Sequence, residues 1–400
     1  MVVFGKAGAI LPGIFLLFSG PGMPIILFTT ILTLSALYAP QPLLPVLARE
    51  FGVSRDLAAT LTTVVFVPLS LAPLVYGYLL EAIPLRKLLR SALLLLALSQ
   101  LLFALATSFP LLFLLRLGEG LLIPALLTAL MTAVASTTPR ALLPRAMSVY
   151  IAGTILGGFL GRACSGAIAT WFGWRYSFFV LAVSLLLAWF LLDRLPALPA
   201  QRLARPRADL LPVVLRNRQL LRIYLAVACL FFVFAAVMNF IPFRLTELSP
   251  LANELRIGLI YSGYLLGIVT SLGTVRAARW FGGPLPAMAA GFAGFGLSLA
   301  GLASGRVEVL FGVMFLFCGA MFLVHATATG YVNGLSSEHR PMVNGLYVAF
   351  YYGGGALGSW LPGVAYRAFG WGALLALLGI VAAIGFATIL AAWRGSARGY

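Results

Sequence analysis

Twelve apolar runs of about 20 residues, each long enough to cross a bilayer as a helix, recur along this chain. They lie at 24–47, 57–80, 88–107, 109–135, 146–170, 174–192, 221–245, 257–278, 284–304, 307–333, 343–366 and 372–393. Lipid offers no water to satisfy a backbone, so a run of this kind pairs its amides internally, as a helix. The chain therefore reads as an all-α membrane protein with twelve transmembrane helices. Composition points the same way. Hydrophobic residues make up 62% of the chain and charged residues 9%, against about a quarter charged in soluble domains. A water-soluble core this apolar would have no polar surface left to cover it.

The net charge of +17 would suggest nucleic acid if it were spread evenly, and it is not. With the N-terminus inside, the cytoplasmic side carries 18 Lys/Arg and 4 Asp/Glu, and the opposite side 7 and 5. Arg116, Arg162 and Glu119 fall within spans. This is the positive-inside pattern. It predicts both termini in the cytoplasm, a lipid bilayer as the partner and no nucleic acid. The three cysteines, Cys164, Cys229 and Cys318, sit in apolar runs without metal-ligand spacing and read as small hydrophobes in helix packing.

Connections between runs are short except at 193–220, which is rich in Pro and Arg. The expected organisation is an N-terminal extension (1–23), a six-helix half (24–192), a basic cytoplasmic linker (193–220), a second six-helix half (221–393) and a cytoplasmic tail (394–400). The halves are related. Residues 150–174 shifted by 197 positions fall on 347–371 with ten identities, among them Tyr150/Tyr347, Gly157/Gly354, Gly158/Gly355, Gly161/Gly358, Gly166/Gly363 and Phe172-Gly173-Trp174/Phe369-Gly370-Trp371. Matched glycines mark matched close approaches of backbone. A weaker echo joins Pro42 to Pro242. Two related halves predict a pseudo-symmetric bundle with a substrate site near its midplane, between them.

Glu119 is the one carboxylate inside a span, and a charge at bilayer depth is a functional-site hypothesis by default. Arg116 lies one turn before it, on the same helix face. The two could form a self-neutralising structural pair, although a pair must still be desolvated. Arg162, in the fifth span, lies at a depth comparable to Arg116, about 12–14 Å from the far end at 1.5 Å per residue. That is beyond easy snorkelling, and it allows an Arg116–Glu119–Arg162 cluster, in which Arg162 serves either as counter-charge or as a substrate contact. The repeat puts Ser359 opposite Arg162, so only the first half carries this charge.

Several motifs look familiar. Gly77-Tyr-Leu-Leu-Glu81-Ala-Ile-Pro84-Leu-Arg86-Lys87 is similar to the G-x-L-a-D-R-x-G-R-R loop of the major facilitator superfamily, with Glu for Asp, Ala82 for an Arg and Pro84 for the second Gly. Arg116-Leu-Gly-Glu119-Gly120 resembles the R-x-x-Q-G of drug/proton antiporters, with Glu for Gln. Gly153-x3-Gly157-Gly158-x2-Gly161-Arg162 resembles their fifth-span signature G-x3-G-P-x2-G-G, with Gly158 for Pro and Arg162 for the last Gly. Tyr38-Ala-Pro40-Gln41-Pro42 and Phe240-Ile-Pro-Phe-Arg244 resemble the YnfM-like inner-membrane efflux branch. The resemblance runs over about 24–393. It implies the superfamily fold, a bacterial inner-membrane location and transport by alternating access. It names no substrate.

The remaining candidates are polar or aromatic side chains within spans. His325 is the one intramembrane histidine, either a satisfied core residue or a proton or substrate contact. Tyr38, Gln41 and Asn239 are polar tips in spans 1 and 7. Phe231, Phe232, Phe234 and Met238 in span 7, with Tyr347, Tyr351 and Tyr352 in span 11, could line an apolar pocket or simply pack against core or lipid. Gly77, Glu81, Arg86 and Lys87 read as a conformational latch between helices. No phosphate loop, metal-ligand cluster or other enzyme constellation is present, so no cofactor is expected and transport must run on a gradient. The expected function is proton-coupled efflux of a small amphipathic molecule by a monomer, with Glu119 and His325 handling protons. The alternative is a facilitator or importer of a small organic anion, bound by Arg116 and Arg162 without proton coupling.

Overall fold

The computed structural model describes residues 22–139, 141–195, 211–335 and 340–397, with backbone alone at 73–75, 77–82, 144, 340–341 and 397. The long helices are α1 (Gly22–Tyr38), α2 (Arg55–Ala82), α3 (Leu85–Leu105), α4 (Phe109–Thr137), α5 (Leu143–Phe172), α6 (Trp174–Leu191), α7 (Arg218–Leu248), α8 (Glu254–Leu272), α9 (Pro284–Gly301) and α10 (Val307–Leu335). A final helical run, Arg340–Ala397, is broken at Gly370, whose φ is 80°, giving α11 (340–369) and α12 (371–397). Twelve helices result, and there is no strand among the described residues. Large apolar side chains such as Leu105, Leu114, Phe190, Leu297 and Ile380 face outward along them, as a lipid solvent requires.

Boundaries differ from expectation in four places. The first helix begins at Gly22, and the rest of the N-terminal extension lies outside the described residues. Within the linker region, Leu211–Arg216 is helical and α7 already starts at Arg218, capped by the Asn217 side chain. The tail is helical to Ala397. The second run of the second half, 257–278, is also less regular than its sequence suggests: α8 contains a 3₁₀ turn at Ile260–Ser262 and is continued past Gly273 by a short helix, Thr274–Trp280. A 3₁₀ turn inside a helix changes the direction of the side chains that follow.

The first span is broken too. Helix α1 stops at Tyr38 because Pro40 has no amide to continue the ladder. The chain then turns through a 3₁₀ segment, Gln41–Leu43, into a short helix, Leu44–Glu50, with Pro45 in its first turn. By contrast α7 runs unbroken for 31 residues despite Pro242.

The repeated glycines do the same work in each half. A Cβ on Gly157 would lie 2.6 Å from the Ile31 carbonyl, and one on Gly354 would overlap the Ala228 carbonyl; Gly161 presses on Ser35 as Gly358 presses on Phe232. Glycines and partners are shifted by the same 197 positions. Thus α5 packs on α1 as α11 packs on α7, backbone to backbone. The Pro42/Pro242 echo, offset by 200, is out of register with this packing. Gly173, at φ 93°, and Gly370 make the matching turns into α6 and α12, each followed by a buried tryptophan, Trp174 or Trp371.

At the end of the bundle that carries Glu50, ion pairs bridge the halves. Arg55 of α2 pairs with Glu247 of α7, Asp56 of α2 pairs with Arg367 of α11 at 3.1 Å, and Arg49 lies 4.0 Å from Glu254. The backbone amide of Leu255 donates to Thr170 at 2.9 Å, and Gly166 admits the Glu254 carbonyl. At the opposite end, Arg86 bonds the Leu195 carbonyl and Arg90 pairs with Asp193, both within the first half.

Candidate substrate and coupling site

The break in α1 organises two arginines. Ending a helix leaves carbonyls without amides, and here Arg116 supplies the donors. Its Nη1 donates to the Ala36 carbonyl (3.0 Å), its Nη2 to the Leu37 carbonyl (2.7 Å) and its Nε to the Leu61 carbonyl of α2 (2.9 Å). Ala36 is the residue four before Pro40, so its carbonyl is the one the proline leaves unpaired. Nη1 also reaches Glu119 Oε2 at 2.5 Å, and the Ser99 hydroxyl of α3 donates to Glu119 Oε1 at 2.9 Å. Arg116 is 1% exposed and Glu119 0%. One arginine with one carboxylate thus joins α1, α2, α3 and α4 inside the first half.

Arg162 sits on the other side of the α1 break. Its Nε donates to Gln41 Oε1 (2.7 Å) and its Nη1 to the Gly158 carbonyl (2.6 Å). Its guanidinium lies 4.0 Å from the ring centre of Tyr38, 4.8 Å from Tyr261 and 4.7 Å from Tyr264. A cation held over desolvated ring faces is attracted by their quadrupoles. The cage draws on both halves: Tyr38, Gln41 and Arg162 from the first, Tyr261 and Tyr264 from the second. Gly158 leaves room for it, since a Cβ there would crowd Tyr264, Arg162 and Tyr38 at 3.3–3.5 Å. Among the described residues no carboxylate pairs with Arg162.

The Arg116–Glu119–Arg162 cluster that equal depth allows does not form: Glu119 pairs with Arg116 alone. The stretch 36–41, from the end of α1 into the 3₁₀ turn, bonds Arg116 through Ala36 and Leu37 and meets Arg162 through Tyr38 and Gln41. Depth along a helix is readable from residue count; which neighbour stands between two helices is not. Arg116 is accordingly fully engaged with backbone and Glu119, and it presents no free charge to a ligand.

The seam between the halves continues from the cage. Gln41 Nε2 donates to Asn239 Oδ1 (2.8 Å), and Asn239 Nδ2 reaches the carbonyls of Ala59 (3.4 Å) and Ser359 (3.1 Å). The hydroxyls of Thr63 and Ser359 lie 2.7 Å apart. Beyond this lies a continuous aromatic wall. Phe66 of α2 meets Phe231 (5.4 Å) and Tyr352 (5.8 Å), and Phe231 stacks on Tyr351 at 3.9 Å. Tyr351 contacts His325 at 4.5 Å, and His325 Nδ1 lies 2.9 Å from the Tyr347 hydroxyl. Phe234 links Phe231 to Tyr264 and Phe317.

Tyr38, Gln41, Arg162, Phe234, Asn239, Tyr347, Tyr351 and His325 are therefore gathered along one seam. Met238 is buried in the same core as these residues, and its carbonyl accepts from the Tyr261 hydroxyl at 2.8 Å. Pro242, four residues on, is what frees that carbonyl. In the latch loop, Arg86 bonds the Leu195 carbonyl just past α6 and Lys87 is exposed, while at Gly77 and Glu81 the backbone alone is described. Sequence reasoning missed Phe66, Thr63, Tyr261 and Tyr264. The Tyr261-x2-Tyr264 spacing between Gly258 and Gly267 was the available signal, since small residues on a spanning helix mark the face that packs closely. It also missed the bridging pairs at Arg55-Asp56, Glu247 and Arg367, although carboxylates this scarce are informative wherever they fall.

Residues 26–285 match the profile of the Major Facilitator Superfamily. The chain is 29% identical to the Inner membrane transport protein YnfM of Escherichia coli, over 88% of this chain and 86% of that one. It is 25% identical to the MFS-type transporter YybF of Bacillus subtilis, over 90% and 89%. A chloramphenicol resistance protein of Streptomyces lividans matches at 33% over 40% of each chain. Among solved structures, a bacterial homologue of the human lysosomal transporter Spinster, in an inward-facing and occupied conformation, superposes with a TM-score of 0.78 at 14% identity, over 93% and 96% of the two chains. With two glycine-matched six-helix halves meeting at a polar and aromatic seam, and with the superfamily profile covering most of its length, this multi-pass membrane chain belongs to the Major Facilitator Superfamily and is a transporter.

Proposed function

We propose that the protein exports a small amphipathic molecule in exchange for protons, from an inner membrane with both termini in the cytoplasm. The observation that carries this reading is the position of the α1 break. Glu119 holds Arg116, Arg116 holds the carbonyls of Ala36 and Leu37, and the next turn supplies Tyr38 and Gln41 to the Arg162 cage. A proton on Glu119 removes the charge that anchors Arg116, loosens the break and so alters the cage and the Gln41–Asn239 bond across the seam. A carboxylate buried within one half thereby senses a ligand at the interface without touching it. The aromatic wall from Tyr38 to Tyr351 offers the substrate its apolar body, and Arg162 fixes a polar or electron-rich end. His325, bonded to Tyr347, is the second proton site. The relative named for chloramphenicol resistance supports efflux. With that orientation, the bridging pairs at the Glu50 end hold the halves together on the outer side.

The test is transport by the purified protein in proteoliposomes under an imposed pH gradient, beside ligand binding at two pH values. Glu119→Gln is expected to abolish gradient-driven transport while retaining binding, with its pH dependence lost. Arg162→Lys keeps the charge but loses the planar fork, and is expected to lower transport at least tenfold in protein that still reaches the membrane. Wild-type transport by Glu119→Gln would move the coupling role to His325. One observation favours a second reading: Arg162 has no carboxylate partner, which suits a facilitator or importer of a small organic anion. Silence of both Glu119→Gln and His325→Ala, with Arg162 still required, would select it.

A further inference from the structure

Most buried tyrosines of this bundle have a partner for the hydroxyl. Tyr150, Tyr224 and Tyr261 donate to backbone carbonyls at 2.9, 3.0 and 2.8 Å, and Tyr347 meets His325. Tyr38, Tyr351 and Tyr352 differ. None of their hydroxyls hydrogen-bonds another described residue, and none is sealed in protein as the unpaired groups of Thr62 and Gln100 are. Tyr38 and Tyr352 are half-buried, and Tyr351 is 9% exposed. Buried polar groups are normally paired, so three unpaired donors in one place face a space that water or a ligand fills.

The three are in one place. Tyr352 meets Tyr351 edge-on at 5.2 Å, and Tyr352 and Tyr38 both contact Phe66, at 5.8 and 6.4 Å. The Tyr351 hydroxyl lies within electrostatic reach of those of Tyr38, Tyr264 and Tyr352. Hydroxyls thus converge from α1 in the first half and from α8 and α11 in the second, across the seam that rocking of the halves would open and close.

Charge sets what they can receive. Arg162 stands against this wall, 4.0 Å from the Tyr38 ring centre and 4.7 Å from that of Tyr264. It is itself buried behind the rings, so its charge acts through them and not by contact. No carboxylate among the described residues pairs with it, and Glu119 is engaged by Arg116 and Ser99. His325, the other ionisable side chain beside Tyr351, is a base. The wall therefore carries positive charge without a fixed counter-charge, where little water screens it. A cation is repelled there, and the attraction an aromatic face offers a cation is already taken at Tyr38 by the guanidinium. An anionic oxygen group is attracted, and hydroxyl donors give it short, charge-assisted hydrogen bonds.

We propose that the substrate of this seam is an aromatic organic anion, with its ring packed on Tyr38 and Tyr352 and a carboxylate or similar oxyanion accepting from the hydroxyls of Tyr38, Tyr351 and Tyr352 in the field of Arg162. The proposal rests on the reading of the seam as the substrate site and gives the substrate its charge and shape. It is independent of transport direction and of proton exchange.

The test uses the full chain, purified in a non-ionic detergent, and three probes of one shape: naphthalene-2-carboxylate, the neutral naphthalene-2-carboxamide and the cationic naphthalene-2-carboxamidine. Binding is measured by calorimetry at neutral pH against protein-free micelles, with no gradient present. The carboxylate is expected to bind saturably and at least tenfold more tightly than the carboxamide, and the amidine not to bind. Tyr351→Phe and Tyr352→Phe keep the rings and lose the hydroxyls; together they are expected to weaken carboxylate binding about tenfold and carboxamide binding much less. Arg162→Gln is expected to erase the preference for the carboxylate; if it does not fold, the tyrosine variants carry the test. The proposal is overturned if the carboxylate shows no saturable binding, if either of the other probes matches it, or if the double tyrosine variant keeps wild-type affinity for it. Failure of the exchange reading would show in proteoliposome transport and leave these affinities as they are.

Discussion

Helices α4 and α10 are both 29 residues long and hold corresponding places in their halves, yet their eighth and eleventh residues are Arg116 and Glu119 in one and Met314 and Phe317 in the other. In the second half Phe317 stacks between Phe234 (5.4 Å) and Phe295 (4.5 Å), and the core is apolar. In the first half the same depth holds a desolvated ion pair. The cause lies in the neighbouring helix. A proline frees a carbonyl in each of the two packed helices: Pro40 that of Ala36 in α1, Pro242 that of Met238 in α7. Where α7 stays continuous, one hydroxyl, from Tyr261, is enough. Where α1 breaks, carbonyls at Ala36 and Leu37 need donors at once, and a guanidinium supplies them. A buried guanidinium then requires a counter-charge, which is Glu119. One backbone plan thus carries a polar, alterable joint on one side and an apolar, fixed one on the other.

The largest effect is expected where the joint is rebuilt in the manner of the second half. Arg116→Met leaves Glu119 buried without its counter-charge, held by the Ser99 hydroxyl alone, and the α1 carbonyls without donors, and it should cost about 3–5 kcal/mol. Adding Glu119→Gln should return part of that, because the stranded charge goes while the carbonyls stay unmet. Unfolding in mixed micelles, followed by tryptophan fluorescence, measures both. A neutral result for Arg116→Met would mean the pair is dispensable to folding and would break the comparison.

The matched glycines sharpen it, because there the halves should behave alike. Gly161→Ala and Gly358→Ala each push a methyl into the backbone of the facing helix, and each should cost about 1–3 kcal/mol by the same unfolding assay. A large difference between the two would show that the packing, as well as the charge, is asymmetric. The smallest effect is expected from Tyr261→Phe, which strands the Met238 carbonyl and keeps the ring over Arg162. A loss of about 1 kcal/mol with transport retained would separate its hydroxyl's role in folding from its ring's role in the cage.

Much of this was legible in the chain before it folded. Twelve spans follow from residue type alone, because in lipid an apolar run has one way to satisfy its backbone. The repeat was legible because Gly157, Gly161, Gly354 and Gly358 have no substitute where backbones touch. Glu119, Arg116 and Arg162 stood out because a charge within an apolar run is rare. Their grouping was not legible, since residue count gives depth and says nothing of what stands between two helices. The 3₁₀ turn that aims Tyr261 and Tyr264 at Arg162 left only a weak trace in glycine spacing. The pairs that bridge the halves at Arg55, Asp56, Glu247 and Arg367 left only the scarcity of their carboxylates, since position along the chain does not say which charges at the helix ends meet.

The sequence alone determined the solvent, the number of helices, the two-fold plan and the identity of the buried charges, because each depends on local composition or on spacing along one chain. The tertiary structure decided which side of α1 each arginine takes, that Glu119 stays inside one half while Arg162 reaches the seam, and that tyrosines from the other half complete its cage. Those outcomes turn on the break at Pro40: it frees carbonyls whose donors come from wherever packing brings them.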